Sequence, residues 1–108
     1  MNNQKYMRIL VFFDLPVNNP GLRKKYTKFR KFLLNDGYFM LQYSVYSRIC
    51  KGLDGTKKHI DRLQKNVPQK GAIRALIITE RQYEKMYILL GKPAQKETKN
   101  SADQLTLF

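Results

Sequence analysis

The sequence is short of the groups on which most chemistry relies. Cys50 is the only cysteine in 108 residues, which excludes an intramolecular disulfide and any cysteine-built metal cluster. It follows a strand with no histidine expected nearby, so it reads as a small hydrophobe. His59 is the only histidine, and with Lys57 and Lys58 beside it on a helix it reads as solvent-facing. No glycine-rich phosphate loop, nucleophile elbow or metal-spaced His/Cys cluster occurs. The longest apolar run, Ile9 to Phe13, is far too short to cross a bilayer, and no signal peptide is expected before it. The expectation is a cytoplasmic protein with no membrane contact.

Acidic residues are scarce as well. Only 8 Asp and Glu stand against 21 Lys and Arg, for a formal net charge of +13. A small folded domain this basic is normally held near a polyanion, most often nucleic acid. A lipid surface fits less well, because no helix pairs a polybasic face with an exposed Trp, Phe or Leu face. With 43% apolar residues the chain has enough for one core and is not disordered throughout.

What is present is a strand around which the rest is arranged. Arg8-Ile9-Leu10-Val11-Phe12-Phe13 reads as buried on both faces; it ends in Asp14, and Leu15-Pro16 then stops the pairing. Asn19-Pro20 starts a helix, with Leu22, Tyr26, Phe29 and Leu33 as its apolar stripe. Its other positions carry Arg23, Lys24, Lys25, Lys28, Arg30 and Lys31, and no acid occurs between Asp14 and Asp36. Such an unmixed basic face wants an anionic partner, so Arg23, Lys24, Lys28 and Lys31 are candidate phosphate contacts.

Asn35-Asp36-Gly37 ends that helix. Tyr38 to Ile49 alternates and is long enough to divide near Ser44 to Ser47. Met40, Gln42, Ser44 and Tyr46 make one half-polar face, suited to a protein interface. Cys50 to Gly55 reads as a turn, with Asp54 or Thr56 capping a helix that carries Ile60, Leu63 and Val67. Gly71 to Thr79 reads as a central strand. Thr79-Glu80-Arg81-Gln82 has capping-box spacing and opens one helical turn. Tyr87 to Gly91 reads as a short extra strand. The expected fold is α+β, a ferredoxin-like split βαβ of order βαββαβ over residues 1–91. Residues 92–108 read as a polar linker and an apolar terminal strand, in which Leu105, Leu107 and Phe108 would dock on a sheet edge.

Asp14 is the one carboxylate at the mouth of a central strand, where α/β sheets usually bind ligands; a capping turn is the other reading. One carboxylate is a poor Mg²⁺ site, but a symmetric dimer joined through its sheet faces would bring two Asp14 side chains to one phosphodiester.

The run Arg8 to Pro16, the basic helix through Arg23 to Leu34, and Gln42-Tyr43-Ser44-Val45-Tyr46 together resemble CRISPR-associated protein two. That family is the small subunit of the spacer-acquisition complex, and the likeness is strongest to the variants accompanying a single large effector nuclease. The resemblance, from about Tyr6 to Gly91, implies a ferredoxin-like homodimer and a metal-dependent endonuclease with Asp14 as Mg²⁺ ligand. It also implies that the dimer bridges two copies of the larger integrase subunit (protein one) and supports a double-stranded DNA. Arg23 matches a basic position found after the aspartate in some members. Many nuclease-active members have Tyr-Asp where this chain has Phe13-Asp14, which removes a hydroxyl donor. Outside the family, the competing reading is a stand-alone RNA-binding ferredoxin-like module that stacks bases on an exposed sheet aromatic such as Tyr46.

Overall fold

A computed structural model describes residues 5–94. The apolar run near the start becomes β1 (Tyr6–Asp14), and it is central because both of its edges find partners. The remaining elements are α1 (Pro20–Asn35), β2 (Phe39–Gln42), β3 (Val45–Lys51), α2 (Gly52–Gln64), β4 (Ala72–Thr79) and α3 (Glu80–Glu84). The sheet order is β2-β3-β1-β4 with every neighbouring pair antiparallel. This is the expected α+β, ferredoxin-like arrangement: β1 and β2 run in the same direction with β3 between them.

The two ends of α1 and the start of α3 are set by local chemistry. At the start of α1 the Asn19 side chain accepts from the Leu22 N–H at 2.8 Å, and Pro20 needs no partner for an N–H it lacks. Gly37 closes α1 with a φ of 91°, and the Tyr38 N–H returns to the Leu33 carbonyl at 2.9 Å. A Cβ at Gly37 would lie 3.0 Å from Nη1 of Arg48, so glycine also makes room for that guanidinium. The capping box of α3 forms as its spacing predicts: Gln82 N–H donates to Thr79 Oγ1 at 3.0 Å, and Thr79 N–H donates to Gln82 Oε1 at 2.9 Å.

Alternation along β1 sends Ile9, Val11 and Phe13 under the helices. There they meet Phe29 and Leu33 of α1, Leu63 of α2, Tyr38, Tyr46 and Cys50 in one core. Phe13 meets Phe29 edge-on at 5.3 Å between ring centres. Complete burial of side chains such as Leu33 and Phe29 contributes about 1.5–3 kcal/mol each.

The long alternating stretch divides at Tyr43–Ser44, close to where its length predicts; Ser44 takes a φ of 64°, and the hairpin register slips between Met40 and Gln42. Other local expectations are corrected. α2 begins at Gly52 with Lys51 as its N-cap and no side-chain cap, so the expected turn to Gly55 is already helix. β4 lies at an edge of the sheet, although its apolar run reads as central. No described strand pairs with Tyr87–Gly91, so the extra strand is not formed there, and Tyr87, Leu89 and Leu90 stand almost wholly exposed.

Candidate functional site

The sheet face turned away from α1 and α2 carries the even-numbered residues of β1: Arg8, Leu10, Phe12 and Asp14. Register places Val45, Ser47 and Ile49 of β3 on this face beside Phe12, Leu10 and Arg8, and Arg74, Leu76 and Ile78 of β4 on their other side. The face is divided into a roofed half and an open half.

The roofed half is built on Arg8, a guanidinium with no solvent exposure. α3 lays Glu80 against it, Nε to Oε1 at 2.5 Å and Nη2 to Oε2 at 3.1 Å, a two-pronged ion pair. The Tyr83 ring stacks on the same guanidinium at 4.2 Å and Phe39 borders it at 5.8 Å. An arginine inside an otherwise apolar strand demands a buried counter-charge. That signal is present in the sequence, but a strand pattern alone does not identify the partner.

The open half holds Phe12, 39% exposed, Leu76, 51% exposed, and the exposed side chains of Ala72, Arg74 and Asp14. Asp14 closes β1 directly opposite Ala72, and its carboxylate makes no hydrogen bond or ion pair among the described residues. The capping-turn reading of Asp14 is thereby corrected. Behind it, Gly71 takes a φ of 109°, and a Cβ there would meet Leu15 Cδ2 at 2.6 Å and the Asp14 carbonyl at 2.7 Å. Only glycine lets the chain pass this close to the strand end.

The aromatic next to Asp14 faces the other way. The Phe13 ring lies in the core between Tyr26 and Tyr46, so the hydroxyl it lacks is missing from the helix side and not from Asp14's face. On that helix side Arg30 Nε donates to the Tyr46 hydroxyl at 2.9 Å. Burial, helped by a hydrogen bond with Tyr43, pushes the Tyr26 phenol up. Tyr46 is 1% exposed and belongs to the core under α1. It therefore serves neither the expected interface face of Met40, Gln42, Ser44 and Tyr46 nor base stacking, since alternation turns it toward the helices.

Lys24, Lys28 and Lys31 are exposed on α1, on the far side of the sheet from Asp14's face, so the fold does not bring them to the carboxylate. Arg23 sits at the start of α1 and donates to the Val17 carbonyl at 3.1 Å, bracing the loop that follows Asp14. Leu105, Leu107 and Phe108 lie outside the described residues.

His59 is the clearest miss. It is 9% exposed, and its Nδ1 lies 3.3 Å from Asp36 Oδ2, 3.2 Å from Arg48 Nη1 and 3.0 Å from Arg62 Nη2. Arg62 bonds the Asp36 carboxylate and Arg48 bonds its carbonyl, which ties the end of α1 to α2 and β3. Burial and the Arg48 charge hold the His59 pKa below its ordinary value, against the pull of Asp36. Adjacent lysines made His59 look exposed; helical phase turns it inward with Thr56 and Leu63. The Cys50 thiol is buried and pushed up by that burial, in keeping with a core residue.

Among the described residues no three His, Cys, Asp or Glu side chains converge, and no helix is long and apolar enough to cross a membrane. Asp14 therefore offers a single carboxylate per chain, half of what a shared divalent-ion site between two copies takes.

The family model described as CRISPR associated protein Cas2 matches residues 7–86. A CRISPR-associated endoribonuclease Cas2 of Acidovorax ebreus is 52% identical over 102 residues, covering 94% of this chain and 100% of the relative. The protein of the same name from Campylobacter jejuni is 48% identical over 108 residues, covering 100% of this chain and 76% of its own. A solved crystal structure of Cas2 shares the fold with a TM-score of 0.56 at 18% identity, covering 83% of this chain and 92% of that one. The family match runs from the second residue of β1 past the end of α3, Asp14 and the open sheet face included, and the chain belongs to the CRISPR-associated Cas2 family.

Proposed function

We propose that two copies of this chain pair through the open half of the sheet face and act in CRISPR adaptation. In this reading the basic dimer holds double-stranded DNA by its phosphates and bridges integrase subunits. The two Asp14 carboxylates meet across the two-fold axis as a Mg²⁺-dependent phosphodiesterase site. The observation that carries it is the open half itself: exposed Phe12 and Leu76 beside an unpartnered carboxylate at a strand end. Exposed apolar surface of this kind marks an interaction site, and a two-fold pairing presents each residue twice.

The donor set fits a divalent ion only as a shared site. One carboxylate from each copy, with water and phosphate oxygens, suits Mg²⁺, whereas one chain alone does not. A bound ion would supply positive charge to a phosphate and lower the pKa of a coordinated water. The chain's own part is to hold both carboxylates in place, through β1 pairing and the tight Gly71 approach. The endoribonuclease names of the relatives make RNA the first substrate to assay beside duplex DNA.

Asp14→Asn keeps the side-chain shape and removes the ligand charge. The expected result is loss of Mg²⁺- or Mn²⁺-dependent cleavage, with the dimer, its complex with the integrase subunit and DNA insertion all retained. Cleavage that survives this change or chelation refutes the metal site. Loss of insertion with the complex intact refutes the scaffold.

A further inference from the structure

We propose that Arg74 is the phosphate-holding residue of the Asp14 site, a role that rests on the Asp14 reading above. Register determines its position. Asp14 pairs with Ala72 and Phe12 pairs with Arg74, with no break in the β1–β4 ladder from Met7 to Asp14. Paired residues share a face, so Asp14 and Arg74 lie on the same side of the sheet as diagonal neighbours. Diagonal positions across an antiparallel pair are separated by about 7–8 Å. That gap suits a phosphate held between a carboxylate-bound ion at one end and a long guanidinium at the other.

The surroundings favour an anion from outside over a partner within the chain. Arg74 is the only charged residue of β4, and it is exposed with no hydrogen bond or ion pair among the described residues. The other arginine of β1 and β4 on this face, Arg8, is committed to Glu80. Ala72, opposite Asp14, is too small to fill the space beside the carboxylate. A guanidinium is the side chain best shaped for two phosphate oxygens at once, which a lysine cannot match. The competing role is a charge that protects an edge strand from pairing with other chains.

The test uses the full chain with Arg74→Gln, Arg74→Lys and Asp14→Asn. The probes are a single-stranded RNA and a DNA duplex with Mn²⁺, and light scattering checks the dimer. Arg74→Gln is expected to keep the dimer and its Mn²⁺ affinity and to lower the cleavage rate about 10²-fold, as for loss of a charge-stabilising donor. Arg74→Lys is expected to restore part of that rate, which a guard role would not predict. Wild-type cleavage by Arg74→Gln overturns the proposal while leaving the Asp14 site standing. Dissociation of Arg74→Gln into monomers also overturns it and makes Arg74 an interface ion-pair residue. Unchanged Mn²⁺ binding and cleavage in Asp14→Asn removes the site reading itself, and the Arg74 role with it. If the wild type cleaves neither probe, duplex binding decides. Each lost phosphate contact lowers the log–log salt slope by about 0.9, and an unchanged slope in Arg74→Gln overturns the proposal.

Discussion

Replacing Glu80 with alanine strands a guanidinium beneath the Tyr83 ring. Arg8 has no exposed surface and Glu80 is 7% exposed, so water cannot take over the lost carboxylate without displacing α3. One guanidinium nitrogen, Nη1, already lacks a partner, which leaves Arg8 nothing in reserve. Removing one member of such a buried pair costs about 3–5 kcal/mol, a large share of the roughly 5–15 kcal/mol that holds a domain together. At roughly 5 °C per kcal/mol, the midpoint of thermal unfolding falls by on the order of 15 °C or more. Replacing both partners with apolar residues, Arg8→Met with Glu80→Leu, removes the stranded charge. That double variant should return to within about 1–2 kcal/mol of the wild type. The assay is urea unfolding followed by circular dichroism at fixed protomer concentration, since the proposed pairing of two copies would contribute to apparent stability. A Glu80→Ala cost below about 1 kcal/mol refutes the reasoning, because α3 then lifts cheaply and lets water reach Arg8. So does a double variant as unstable as the two single losses added together.

Two further outcomes test other parts of the molecule. The folded-state pKa of His59 lies below its ordinary value of 6.5, so the fold favours neutral imidazole. Its contribution is complete above about pH 6.5 and is lost as pH falls through the depressed value; His59→Gln should flatten that part of the stability profile, and an unchanged profile refutes it. Reversing the charge of Lys24 and Lys28 should weaken all DNA duplexes alike and make binding less salt-dependent by about 0.9 in log–log slope per lost contact. A wild-type slope near zero, or a strong preference for one sequence, refutes the phosphate grip.

Elements whose causes are local are legible in the amino-acid order. Asn19-Pro20, Gly37 and the Thr79–Gln82 capping box set helix ends through contacts within five residues, and each forms where its spacing predicts. The apolar run of β1 and the apolar stripe of α1 likewise made those elements and the split βαβ order legible, because apolar surface must be buried against something. Asp14 could be singled out because it interrupts an apolar strand at its end.

Which face of a strand meets the helices, and which strand lies at an edge, depends on packing between distant segments. An apolar run such as Ala72 to Thr79 states that it avoids water, not whether its cover comes from the same chain. The same ambiguity put Tyr46 on a supposed interface and His59 in solvent. Local pattern records periodicity without saying which phase turns inward, and that phase is set by helix-to-sheet packing across distant residues. The pairing of Arg8 with Glu80, 72 residues apart, and the placement of Arg74 beside Asp14 are long-range in the same sense. They exist because β4 returns antiparallel to β1, and one step of register in that ladder would turn Arg74 to the opposite face.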